Sequence, residues 1–186
     1  MKGNNIMTNN VSAYIRNLYA PEFSSIMLSF FKTNLSISFM PWLGRNDMGR
    51  SQYDTKNSQR TTISDENAAA LYSLARAIID GKQTNPVQYV VERNKDTRLI
   101  FEYRQNQNNQ MRAYLSLEKN GQTILFEFAV HLFKEKENGR VVVKEIQAGL
   151  EAFSQVMIAY LTAIGADRQL YTQQADTSQN GSSMWN

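Results

Sequence analysis

From Pro86 to Glu145 the chain reads as one strand after another, and this run limits the fold more than any other feature. Val87–Arg93 (VQYVVER), Thr97–Arg104 (TRLIFEYR), Met111–Lys119 (MRAYLSLEK) and Gln122–His131 (QTILFEFAVH) are rich in β-branched and aromatic residues. Short turn-forming segments separate them. Asn120-Gly121 is the strongest hairpin signal in the chain, because both residues accept the positive φ of a two-residue turn. Strands joined this closely pair antiparallel, since a parallel crossover needs about a dozen residues or more. Arg140–Glu145, after the second Asn-Gly pair Asn138-Gly139, is expected to extend the same sheet. A helix over Ile146–Ile164 follows, with Ile146, Leu150, Phe153, Met157, Tyr160, Leu161 and Ile164 on one face and Gly165 ending it.

A shorter version of the pattern comes first. Ser24–Lys32 and Leu35–Trp42 are predicted strands joined at Thr33-Asn34, with Leu35, Ile37 and Phe39 alternating with Ser36, Ser38 and Met40. Arg60–Ile63 is a further short strand. Ser64 then caps a helix carrying Asp65 and Glu66 in its first turn, an apolar stripe of Ala68, Leu71, Ala75, Ile78 and Ile79, and Gly81 at its end. Val11–Tyr19 is predicted as a short helix, stopped ahead of Pro21, within an N-terminal arm over 1–23. Residues 24–165 form one domain, and 166–186 a flexible polar tail. Strands then a helix, written twice, is α+β with two antiparallel sheets, not the alternation of a parallel sheet.

Catalytic chemistry finds little to work with. The chain has no cysteine, one histidine (His131, closing an apolar strand) and no phosphate-cradling glycine loop, so no enzyme site, metal or cofactor is expected. The lack of cysteine fits a reducing cytoplasm, which for a viral protein is the host's. No apolar run approaches the roughly 18 residues of a membrane span, and the polar N-terminus lacks the apolar core of a signal peptide.

Charge and rings suggest binding instead. The net charge is +3. On the second strand set Leu99, Phe101 and Tyr103 point one way, while Arg98, Ile100, Glu102 and Arg104 point the other. Arg112, Tyr114, Ser116 and Glu118 continue that polar face. It reads either as a phosphate-and-stacking surface built from Arg98, Arg104, Arg112 and Tyr114, or as a solvated face whose arginines pair with Glu102 and Glu118. In the first half Ser36, Ser38, Met40 and Trp42 share the face opposite the core. Trp42 opens onto the turn-rich segment Gly44–Gln59, which carries Arg45, Arg50, Tyr53 and Lys56, with Arg60 at its exit. Trp42 either stacks there or covers the core beneath the loop. Rings interleaved with isolated cations suit a flexible single strand better than a duplex groove.

The segments LSISFMPW and RTTISDENAAALYSLARAII in the first half, and TRLIFEYR, MRAYLSLEKNGQTILFEFAVHLF and GRVVVKEIQAGLEAFSQVMIAYL in the second, give the chain a layout that resembles the Whirly and transcriptional-coactivator superfamily of single-stranded-DNA-binding proteins. The strand-helix junction TTIS-DENAAAL looks like small phage-encoded members. The resemblance spans Ser24 to about Ile164 and lies in element order, not in a fixed motif. It implies two crosswise antiparallel sheets with helices between them, single-stranded DNA bound across sheet surfaces in replication or recombination, and a homo-oligomer. The plant members' Lys-Gly-Lys-Ala-Ala-Leu motif is missing, so its oligomer-forming role does not carry over. A further strand is expected within Gly44–Gln59, because the first half otherwise shows fewer than the family's set. The end of the tail, from Thr172 to Met184-Trp185 and beyond, offers a docking point for replication proteins, although Asp176 is the only acid in that stretch. The rival readings are a virion or scaffolding protein using the sheets for protein contacts, and an RNA-binding or transcription-regulating module of the same fold.

Overall fold

Alternating burial builds the first sheet. The computed structural model describes residues 14–20, 22–31 and 34–180, with side chains as far as residue 166. In β2 (Ser24–Phe31) and β3 (Asn34–Arg45) the register sets Ile26 against Phe39, Leu28 against Ile37 and Phe30 against Leu35, and all six are buried. Short β4 (Ser51–Tyr53) pairs the far end of β3, while β5 (Gln59–Ile63) pairs β3 over Leu35–Phe39. The strand expected inside Gly44–Gln59 is therefore β4. Its flanks are tight turns held by side chains. Asn46 Oδ1 accepts from the Met48 and Arg50 amides, and Asp54 Oδ1 accepts from those of Lys56 and Asn57.

The helix predicted over Val11–Tyr19 is corrected. Its described part belongs to a strand, β1 (Tyr14–Ala20), paired with β2 from Tyr14↔Phe30 to Ala20↔Ser24. The open edge of β2 decides the matter, since pairing there sends Leu18 and Ala20 toward the core. Tertiary pairing overrides a weak local preference. Residues 1–13 lie outside the described residues.

Helix α1 (Asp65–Ile79) begins as the sequence requires, with Ser64 Oγ accepting from the Asn67 amide. Such a cap contributes about 1 kcal/mol. The second sheet has the order β6 (Val87–Asn94), β7 (Thr97–Gln105), β8 (Met111–Lys119), β9 (Gln122–Glu127), all antiparallel. Leu99, Phe101, Tyr103, Ala113, Leu115 and Leu117 face inward together. Asn120-Gly121 turns with positive φ at both residues, as expected.

The sheet then stops earlier than the predicted strand Gln122–His131. The Phe128 amide makes a last bond to Ala113 O, and the Phe128 ring joins Phe126, Phe101 and Phe153 in the core. Gly149 docks its amide on Ala129 O at 2.8 Å, so tightly that a Cβ there would lie 2.5 Å from Ala129 N. The start of the last helix thus presses on the chain just after Phe128. His131 instead opens β10 (His131–Glu137), which pairs only with β11 (Arg140–Ile146) in a separate ribbon. The expected extension of the sheet by Arg140–Glu145 is corrected accordingly.

Helix α2 (Ala148–Asn180) is longer than predicted. Ile146 belongs to β11, and the helix continues through Gly165. A lone glycine costs about 1 kcal/mol relative to alanine and does not by itself end a helix whose neighbours continue it. The tail predicted over 166–186 is thus helical to Asn180; residues 181–186 lie outside the described residues. The stretch Ala148–Ala166 is long and apolar enough to cross a membrane by composition, contrary to the expectation of no such run. Here its Leu150, Phe153, Val156, Met157, Tyr160 and Ile164 line the core shared by both sheets and both helices. Arg76 ties the helices together, 2.7 Å from both Asp80 on its own side and Glu151 on α2.

Candidate nucleic-acid interface

Register fixes what the outer face of the first sheet displays. Paired residues share a face. With Leu35, Ile37 and Phe39 inward, the outward rows are Tyr19–Ser25–Met40, Asn17–Met27–Ser38–Arg60 and Ile15–Ser29–Ser36–Thr62, with Trp42 beside Tyr53 at one end. β1 to β5 contain no Asp or Glu at all. The serines are recessed: Ser25, Ser36 and Ser38 are buried. Tyr19 stands out from them and is 56% exposed.

The aromatic end is tied down without being closed. Tyr53 donates its hydroxyl to Ala20 O, and its ring meets Tyr19 with centroids 5.6 Å apart. Trp42 is half-buried, and its indole N–H has no acceptor among the described residues. That nitrogen is itself enclosed, so the part of Trp42 open to solvent is its ring and not its donor. The register slips between Trp42 and Gly44, with Gly44 at φ +115°, and Leu43 is left exposed. Arg45 meets Glu22 at 3.2 Å on the surface. Arg50 and Lys56 are exposed, with Lys56 near the Asp54 carboxylate.

At the other end the cations gather. Arg60 Nη2 donates to Ser36 Oγ at 2.6 Å, Arg93 Nη2 donates to Thr62 Oγ1 at 2.8 Å, and Lys119 Nζ donates to Arg60 O at 3.4 Å. These residues, with Thr61, Asn94 and Thr97, line an open concavity of about 320 Å³ on the seam between the sheets. No carboxylate lines it. A neighbouring hollow of about 770 Å³ shares Arg93, Asn94 and Lys119 and adds Lys95, Arg98 and the acids Glu92, Asp96 and Glu118.

The second sheet differs from expectation. Arg98 meets Glu118, its cross-strand neighbour, at 2.6 Å. Arg104 contacts Glu102 at 3.2 Å and lies 4.3 Å above the Tyr114 ring. Arg112 is gripped by Glu145 at 3.1 and 3.3 Å, by Met111 O and by Gln110 Oε1. Tyr114 is only 4% exposed. Burial pushes its phenol above the usual range, with Glu127 hydrogen-bonded to it. Burial likewise lifts the Glu127 carboxyl, opposed by Arg112 and Arg104. The expected stacking surface of Arg98, Arg104, Arg112 and Tyr114 is therefore corrected to a charge-neutralised one, with Tyr114 enclosed as a structural ring.

Of the residues singled out in sequence, the structure brings Trp42, Tyr53 and Arg60 onto one face, with Arg45 at the end of β3 and Arg50 and Lys56 on the adjoining turns. Sequence reasoning missed Tyr19, Arg93 and Lys119. The usable signal was the absence of acids from every strand of the first half. No family model, curated protein or solved structure matches the chain.

Proposed function

We propose that the protein binds single-stranded DNA, without catalysis and with little sequence preference, across the outer face of the first sheet and the cationic seam beside it. One observation carries this: an acid-free sheet face presents Trp42, Tyr53 and Tyr19 at one end, and at the other its Arg60 meets Arg93 of β6 and Lys119 of β8, all three held only by neutral acceptors. A duplex hides the faces of its bases, and only an unpaired strand offers them to rings. Each stacked base contributes about 1–3 kcal/mol whatever its identity. Coating exposed strands during replication or recombination, in a phage-like setting, is the role such binding serves. The element order strands–α1–strands–α2, with antiparallel sheets and packed helices, supports a Whirly-like arrangement.

Titrating the protein with oligo-dT tests this, with Trp185→Phe leaving Trp42 as the reporter. The expected result is quenching at low salt that weakens steeply as salt rises, with duplex DNA binding far more weakly. RNA binding as tight as DNA would move the assignment to an RNA-binding module of the same architecture. No quenching at low salt would remove it.

A further inference from the structure

The ribbon of β10 and β11 stands apart from both sheets, and a lone two-stranded ribbon is marginally stable in water. It also exposes apolar surface. Leu132 is 66% exposed, and Val141, Val143 and Ile146 are about half exposed or more. The strand RVVVKEI is strongly β-forming, free of glycine and proline, and its outer edge has no strand beside it among the described residues. Soluble proteins cover or blunt such edges.

We infer that β11 pairs with β11 of a second copy of this chain across a two-fold axis, joining two ribbons into a four-stranded sheet. Glu137 and Arg140 flank the turn Asn138-Gly139, whose residues both have positive φ. That two-residue turn makes Glu137 and Arg140 the bonded pair, so Val141, Val143 and Glu145 point their amides and carbonyls away from β10. A two-fold axis normal to the sheet keeps each side chain on its own face. Every residue must therefore meet one an even number of positions away. Centred on Val143, this sets Val143 against Val143, Val141 against Glu145, and Val142 against Lys144. No like charges oppose, and Val141 and Val143 of both copies cluster on one face. Lys144 is already held by Glu135 and Glu137 on the other face.

The opposite edge fails the same test. In β10 the run Lys134-Glu135-Lys136-Glu137 alternates, so two-fold pairing there sets lysine against lysine or glutamate against glutamate wherever the run overlaps its copy. Like charges directly opposite are destabilising. Symmetry thus selects β11, as an isologous interface requires. This interface stands independently of nucleic-acid binding.

Sedimentation of the full chain, without nucleic acid, should show a dimer that dissociates on dilution. Val143→Lys, which sets two lysines on the axis, should weaken dimerisation about tenfold or more. Because the chain has no cysteine, Val143→Cys gives a clean second readout. Oxidised glutathione should link it to its own copy, since directly opposed residues meet disulfide geometry, while Lys136→Cys stays without a covalent link. Unchanged far-UV dichroism confirms that the variants fold. A monomer at all concentrations would overturn the proposal. So would assembly indifferent to Val143→Lys, or a Val143→Cys link no faster than that of Lys136→Cys.

Discussion

Along the edge of the first sheet, Arg60 leans on a serine hydroxyl and Arg93, reaching over from β6, on a threonine hydroxyl; on the outer face of the second sheet, Arg98 leans on Glu118 and Arg104 on Glu102. The residue types match. A hydroxyl orients a guanidinium and leaves its charge whole, so an arriving phosphate gains the full interaction. A carboxylate cancels that charge, and the phosphate must compete with a pair worth about 0–1 kcal/mol at the surface. Rings divide the same way: Tyr19 is open, whereas Tyr114 is buried, covered on one face by Arg104 and hydrogen-bonded to Glu127. Availability of a cation to ligand thus depends on its acceptor more than on its exposure.

The largest effect is expected from removing the seam. Arg60→Ala with Arg93→Ala and Lys119→Ala should weaken oligo-dT binding on the order of 100-fold near 0.1 M salt, read by fluorescence titration. Taking out the open rings, Tyr19→Ala with Tyr53→Ala, should cost about 1–3 kcal/mol for each base that loses its stack, with the salt dependence unchanged. Converting the second face to resemble the first is a sharper trial. Glu102→Gln with Glu118→Gln frees Arg98 and Arg104 and should tighten binding several-fold, whereas Arg98→Ala alone should change affinity by less than about twofold and stability by about 1 kcal/mol or less.

The smallest effect lies in pH. Burial raises the Glu127 carboxyl above its ordinary 4.5. The folded protein then holds that proton where the unfolded chain has released it. Folding binds more protons in that window, so this group's contribution falls as pH rises from 4.5 through the raised value. Urea midpoints measured across the window should show that slope, and Glu127→Gln should remove it.

Much of the frame was legible from sequence. Ser64 with its two following acids marked the start of α1, and Asn120-Gly121 marked the β8–β9 turn, because both signals are local and chemical. The inward sets Leu35–Ile37–Phe39 and Leu99–Phe101–Tyr103 followed from strand periodicity. What sequence left open was long-range. Tyr14–Ala20 carries no strong local preference and takes its form from the open edge of β2. Arg98 and Glu118 were candidate partners, but only the register sets them opposite. The Arg112–Glu145 pair joins the start of β8 to the ribbon beyond the second sheet, and no spacing rule announces it. Likewise Arg93 reaches Thr62 only because the two sheets meet at that seam.

The slope of log K against log salt for oligo-dT tests the central claim most directly, measured for the natural chain, the Arg60/Arg93/Lys119 triple variant and an Arg98→Ala/Arg104→Ala variant. Each phosphate contact on a single strand contributes about 0.7 to that slope. The seam variant should therefore lose about 2 from it, while the second-sheet variant keeps the natural slope. An unchanged slope in the seam variant, or a loss confined to the second-sheet variant, would contradict the account.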